Sequence, residues 1–263
     1  MAYETLLIEN ADSAGEIAVL RLNRPQAMNA MNTRMFLDMR AALRELRERA
    51  DLRCVILAGS GLKAFSAGGD LKERNGMSDD TWRRQHELIE EAFLAVKDFP
   101  LPIIAAVEGH AHGGGLELAL MCDFIVAAES AQFSLAEVRR GIMPGGGGIQ
   151  NLVRAAGMRR AKQYLFTGDR FDAAQAHEWG VVNEITAAGQ AVEGALAIAR
   201  RILQAAPMSV RYVKLAASRG GEVDFHTGYA MDIAAYNVLV SSADRLEGVQ
   251  AFNEKRPPRW SNH

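Results

Sequence analysis

Cysteine is scarce here, long apolar runs are missing, and neither sign of charge is in excess. The two cysteines, Cys54 and Cys122, both sit inside apolar runs, which suits reduced, buried thiols and argues against a disulfide framework. No zinc-ligand spacing occurs. Lys and Arg number 30 against 32 Asp and Glu, a formal net charge of -2 over 263 residues, so there is no basic stripe of the kind nucleic acid or an anionic membrane attracts. No apolar stretch approaches the ~18 residues of a membrane span. The opening MAYETLLIEN has neither the basic-then-apolar layout of a signal peptide nor the Arg-rich character of a transit peptide. The expectation is a cytoplasmic chain with no membrane or nucleic-acid partner.

What is present is a strand and helix alternation. Short apolar runs recur at 16–22 (EIAVLRL), 54–59 (CVILAG), 102–109 (PIIAAVEG), 123–129 (DFIVAAE) and 181–185 (VVNEI), the pattern of strands covered on both faces. Between them lie helical stripes: Met35, Met39, Leu43 and Leu46 within 33–49, and Trp82, Ile89, Phe93 and Val96 within 79–98, with Ser78 as the N-cap. Beyond about residue 186 only helical patterns remain, at 190–205, 207–219, 224–241 and 244–254. An α/β fold with right-handed crossovers and a helical C-terminal lobe follows.

Three glycine-rich segments stand out. In GGGLELALMCDF, 113–124, three glycines enter an apolar helix whose single early charge is Glu117. Glycines let a ligand approach the backbone, and the first helical turn offers N–H groups without intrahelical partners. Glu117 follows Gly114 by nearly one turn, and its aliphatic neighbours leave little polar face, so a buried or cleft-facing carboxylate is expected. A second turn, FSAGGDLKER at 65–74, follows a strand and could also present main-chain N–H groups. A third segment, SLAEVRRGIMPGGGGIQ, places Glu137 just before a Gly/Pro loop; alone, it reads as a surface residue pairing with Arg139 or Arg140.

Taken together and in order, LNRPQAMNAM (22–31), KAFSAGGDLKE (63–73), the run from Gly109 to Gly157, TGDRFDAAQAHEWGVVNEI (167–185) and EGVQAFNEKRPPRW (247–260) resemble the crotonase superfamily, the enoyl-CoA hydratase/isomerase family. The resemblance implies a spiral of repeated ββα units over 1–195 carrying a CoA-thioester site, and a helical trimerisation region over 196–263. It implies an acyl-CoA thioester substrate, with coenzyme A as part of the substrate and no metal or other cofactor, and a homotrimer or hexamer. The family motifs put oxyanion-hole amides at Ser66, whose hydroxyl is expected to be incidental, and at Gly114. They match the two hydratase glutamates to Glu117, which holds and activates water, and to Glu137, the proton donor. Gln26, Ala27 and Met28 match the loop that contacts CoA, Ala64 the position at the adenine, and Ala67, Gly68 and Gly69, with Ser66, the thioester channel.

The pair of carboxylates favours hydration, since other branches often keep one; isomerase, carnitinyl-CoA dehydratase and methylglutaconyl-CoA hydratase are the alternatives within the fold, and RNA binding is a remote one. Ala136 stands where proline is common, Glu108 where asparagine is frequent, and His110 and His112 where aromatic or aliphatic residues are usual. Both histidines are expected to be packed or hydrogen-bonded.

Overall fold

The structure, a computed structural model, describes residues 3–262. Ten strands run in chain order as β1 (Leu6–Asn10), β2 (Ile17–Leu22), β3 (Cys54–Gly59), β4 (Ala64–Ser66), β5 (Ile103–Val107), β6 (His110–His112), β7 (Phe124–Ala128), β8 (Gln132–Ser134), β9 (Phe171–Asp172) and β10 (Glu184–Thr186). The helices are α1 (Thr33–Arg47), α2 (Leu71–Arg74), α3 (Asp79–Lys97), α4 (Gly114–Met121), α5 (Gly148–Ala156), α6 (Met158–Thr167), α7 (Ala173–Glu178), α8 (Ala191–Ile202), α9 (Pro207–Gly220), α10 (Phe225–Val240) and α11 (Ala243–Asn253).

Two sheets divide the strands between them. The larger has the order β1-β2-β3-β5-β7-β10, and the smaller β4-β6-β8-β9. All neighbours in the large sheet are parallel except β1 with β2. In the small sheet β4, β6 and β8 are parallel and β9 closes antiparallel. Three successive repeats thus send a first strand (β3, β5, β7) into the large sheet and a second (β4, β6, β8) into the small one, and each repeat goes on into a helix or 3-10 turn. This is the expected ββα spiral. The strands β3 and β5 are buried at every residue, which explains their continuous apolar runs, and both cysteines are buried.

The chain divides into two compact units, one of residues 1–99 with 103–197 and one of residues 100–102 with 198–263. In the second unit, α9 and α10 approach closely at a glycine pair: a methyl group added at Gly220 would lie 3.5 Å from Gly228 Cα. Asp244 accepts from the amides of Ser261 and Asn262, and Trp260 Nε1 donates to the carbonyl of Gln204 at 2.9 Å. The stripe Tyr229, Ile233, Tyr236 and Val240 is exposed, as are Phe225 and Phe252. No helix among the described residues is long and apolar enough to cross a membrane.

Two buried polar residues hold the first unit's loops. Asn29 is fully buried, with a left-handed φ of 53°. Its side-chain oxygen accepts from Arg24 N, and its Nδ2 donates to the carbonyls of Ser60 and Ala64 at 3.0 and 2.8 Å. Glu108 accepts from the amides of Gly189 and Ala191 at 3.1 and 2.7 Å, so this departure from the family pattern ties a distant loop to the end of β5. Replacing Asn29→Ala leaves the buried Ala64 carbonyl and the half-buried Ser60 carbonyl and Arg24 amide without their partner, and the urea midpoint is expected to report a loss of about 3 kcal/mol.

Candidate active site

The site grows from the carboxyl ends of three adjacent parallel strands. After β4 the chain makes the turn Ala67, Gly68, Gly69; after β6 it makes Gly113 and enters α4; after β8 it reaches Glu137 through Leu135 and Ala136. Open α/β sheets bind ligands at such strand ends. A cleft of about 1220 Å³ opens there, lined by Met28, Ala67 to Gly69, Gly113, Gly114, Glu117 and Glu137 among others.

The two turns touch. A methyl group added at Gly68 would lie 2.7 Å from the carbonyl of His112 and 3.1 Å from Gly114 N, and one at Gly114 would lie 3.7 Å from Gly69 N. The contact at Gly68 is too close for any side chain. Gly68 also has a φ of 91°, which disfavours any side chain. The pairing of Met31 with Gly69 uses the Gly68 carbonyl and the Asp70 amide, which leaves the Gly69 N–H out of the ladder. Gly114 is the first residue of α4, so its N–H has no intrahelical acceptor. Two free amides therefore face the same cleft, at a helix start that favours negative charge.

Ser66 is displaced from its expected place. It is fully buried behind the cleft, and its carbonyl would meet a methyl group on Gly115 at 2.3 Å. Its hydroxyl is not incidental, because Oγ donates to the carbonyl of Asn29 at 2.8 Å and accepts from Gly68 N at 3.1 Å. Ser66 thus shapes the turn, while Gly69, three residues on, supplies the amide next to Gly114. The reason is geometric: Ser66 ends a strand paired to β6, and the chain must leave that ladder before an N–H can turn outward.

Of the proposed CoA contacts, Met28, Ala67, Gly68 and Gly69 line the cleft, whereas Gln26, Ala27 and Ala64 do not. Gln26 is exposed on a 3-10 turn over Pro25–Ala27. Ala64 is buried, its carbonyl bound to Asn29.

The carboxylates differ in their surroundings. Glu117 is 5% exposed. Its Oε1 accepts from the amides of Gly146 and Gly148 at 2.8 and 3.0 Å, and a methyl group on Gly146 would crowd Oε2 at 3.2 Å. The glycine loop after Glu137 therefore clamps one oxygen of Glu117. Burial raises the Glu117 pKa, opposed by those two amides and by His86 and Arg74. Glu137 begins a 3-10 turn, and its Oε2 is buried without a hydrogen-bond partner. Burial, reinforced by the charge of Glu117, pushes its pKa up to about 7. The neighbouring arginines look elsewhere: Arg139 binds Asp169 and the carbonyl of Thr167, and Arg140 the carbonyl of Ala136. The two carboxyl groups thus share a cleft but not an environment, one with its pKa raised to about 7 and the other anchored at one oxygen by two amides.

His110 and His112 stack with ring centroids 5.0 Å apart. His112 Nδ1 lies 2.9 Å from Ser134 Oγ, and His112 also lines the cleft. Burial lowers its pKa to about 4, so the ring is neutral near pH 7. No group of His, Cys, Asp and Glu suited to a metal ion occurs among the described residues.

Residues 12–263 match the family model described as Enoyl-CoA hydratase/isomerase, and the chain belongs to that family. It is 42% identical over 240 residues to the putative enoyl-CoA hydratase/isomerase YngF of Bacillus subtilis, covering 91% of this chain and 92% of that one. It is 37% identical to the crotonyl-CoA hydratase of Syntrophomonas wolfei, with 97% of both chains covered. The crystal structure of an enoyl-CoA hydratase from Bacillus anthracis superimposes with a TM-score of 0.96 at 40% identity, covering 99% of this chain and 100% of the other.

The raised pKa of Glu137 has a thermodynamic consequence. The folded protein holds this proton more tightly than the unfolded chain, so ionising Glu137 destabilises the fold progressively as pH rises from the ordinary 4.5 to about 7. Glu137→Gln, which cannot ionise, is expected to gain stability relative to wild type over that window and to keep the gain above it, read as the difference in thermal midpoints across pH.

Proposed function

We propose that the protein is an enoyl-CoA hydratase that adds water across the 2,3 double bond of an enoyl-CoA thioester. The observation that carries the reading is the convergence on one cleft of two free amides, Gly69 and Gly114, and two carboxylates, Glu117 and Glu137. The thioester oxygen accepts from both amides, which stabilise negative charge as it builds there; losing one such donor in an oxyanion hole costs about 3 kcal/mol of transition-state stabilisation.

Glu117, with Oε1 fixed by Gly146 and Gly148, holds water through its other oxygen. As the water oxygen bonds to Cβ, Glu117 takes its proton and the double-bond electrons move toward the carbonyl, giving an enolate at the two amides. Glu137 then delivers its proton to Cα and the carbonyl re-forms. With a pKa of about 7, Glu137 carries that proton near neutral pH without holding it too tightly to give up. The reverse sequence dehydrates a 3-hydroxyacyl-CoA. Coenzyme A enters as part of the substrate, and these steps call on no metal or redox group.

The second unit supports an oligomeric reading. Phe225, Tyr229, Tyr236 and Phe252 are 77%, 54%, 66% and 83% exposed, an aromatic surface of the kind that marks an interface. We propose that it joins copies of the chain as a trimer, alone or doubled to a hexamer.

With crotonyl-CoA, followed by loss of the enoyl-thioester absorbance, Glu117→Gln and Glu137→Gln are each expected to lower kcat by roughly 10²–10⁴-fold. Full activity in both variants overturns the two-carboxylate reading. Sizing by light scattering is expected to give a trimer or hexamer, and Tyr236→Asp with Phe252→Asp to shift it toward monomer.

A further inference from the structure

The small sheet carries a polar pair that the two-carboxylate reaction leaves unused. β6 and β8 run in parallel with His112 opposite Ser134, so both side chains leave the same face, and both residues line the cleft. Ser134 is buried, and its hydroxyl lies 2.9 Å from His112 Nδ1. No other hydrogen-bond partner of that hydroxyl occurs among the described residues. A buried hydroxyl must place its one hydrogen on an acceptor, and here the acceptor is Nδ1. The ring is then the tautomer with its hydrogen on Nε2, and His110 stacks against its face.

The donor on Nε2 is unmatched. His112 Nε2 is buried without a hydrogen-bond partner, and so is Glu137 Oε2. Three observations put the two groups at one corner of the cleft. Gly113, the residue after His112, lies against the carboxyl, since a methyl group there would be 2.9 Å from Glu137 Oε1. Glu137 follows Ser134, the strand partner of His112, by three residues. Burial dominates both pKa shifts, lowering His112 and raising Glu137, and the charge of Arg140 acts on each. A buried donor and a buried acceptor both cost stability while unmatched. One water molecule between them satisfies the two together.

We infer that His112 is a positioning residue for the proton donor: its Nε2–H, through one bridging water, holds Glu137 Oε2 and stabilises the carboxylate left when the proton has gone to Cα. This rests on the hydratase reading above and adds a residue to its machinery. The proton balance of the reaction is unchanged, because the proton leaves Glu137 for Cα and His112 keeps its own. A neutral donor suits the task. An imidazolium at this place would ionise Glu137 before substrate arrives, whereas a neutral N–H gains strength only as the charge appears. Burial, together with His110, Arg170 and Arg140, lowers the His112 pKa to about 4, so the ring carries no charge where Glu137, flanked by Glu117 and Arg140, titrates near 7. A competing role is a hydrogen bond from Nε2 to the bound thioester.

Two measurements separate these roles. Without substrate, the carboxyl carbon resonances of glutamate-labelled protein, with Glu137→Gln to assign the one of Glu137, give the pH at which Glu137 ionises. A donor to the carboxylate favours the ionised form, so His112→Leu is expected to move that pH up by about one unit. With crotonyl-CoA, the alkaline limb of kcat is expected to move the same way. The plateau kcat is expected to fall roughly 10-fold at unchanged KM, since a weaker acid gives up its proton less readily. His112→Gln, which carries an N–H of similar reach, is expected to restore most of both values. Ser134→Ala, a smaller change that frees the ring to adopt the other tautomer, is expected to fall between. Ionisation of Glu137 that stays put or moves down in His112→Leu overturns the inference, and so does an equal upward shift in His112→Gln, which would leave burial alone as the cause. A raised KM with Glu137 ionisation unmoved also overturns it and assigns His112 to the substrate. A wild type that fails to hydrate crotonyl-CoA overturns the hydratase reading, while the titration without substrate still decides whether His112 holds the carboxyl.

Discussion

The parallel ladder of the small sheet sets every distance in the site. β4, β6 and β8 are each three residues long, and their register puts Ser66 beside Ala111 and His112 beside Ser134. Because the three strands run the same way, their exits emerge together, and the turn with Gly69, the helix start with Gly114 and the 3-10 turn with Glu137 share one cleft. A slip of one residue in any strand would invert its side chains and move its exit by about 3.3 Å. The buried bonds of Asn29 and Ser66 act against such slippage, since they fasten the turn after β4 to the loop before α1.

The large sheet was readable from the sequence because its central strands are covered on both faces and written as unbroken apolar runs. The small sheet was not, since HAH and QFS offer three residues each with no periodicity to detect. That gap explains the misplaced amide. Motif position alone put the first oxyanion donor at Ser66, whereas the ladder keeps that residue buried and Gly69 is the first point at which the backbone turns outward. The caps and stripes of α1 and α3 were legible, as Ser78 does accept from Thr81 N. The strand expected at 181–185 forms at 184–186, where the chain pairs in parallel with Val126 to Ala128 of β7; Asn183 just before it already bonds Ile125 through both its amide and its side chain.

The two glutamates were legible in different ways. Glu117 announced itself by standing among aliphatic residues, and burial in α4 is the outcome. Glu137 gave no such sign, with two arginines close behind it in sequence. Those arginines turn to Asp169 and to main-chain carbonyls, and a 3-10 turn rather than a regular helix aims the carboxylate inward. Three-dimensional placement, not composition, separates an ordinary surface acid from one whose proton is retained near pH 7.

The glycine loop clamping Glu117 bears on stereochemistry. In the proposed reaction, a carboxylate with one oxygen pinned by two peptide hydrogens offers water from one direction only. A thioester held at its oxygen would show that direction a single prochiral face, so the proposal carries with it a new hydroxyl-bearing carbon of one handedness.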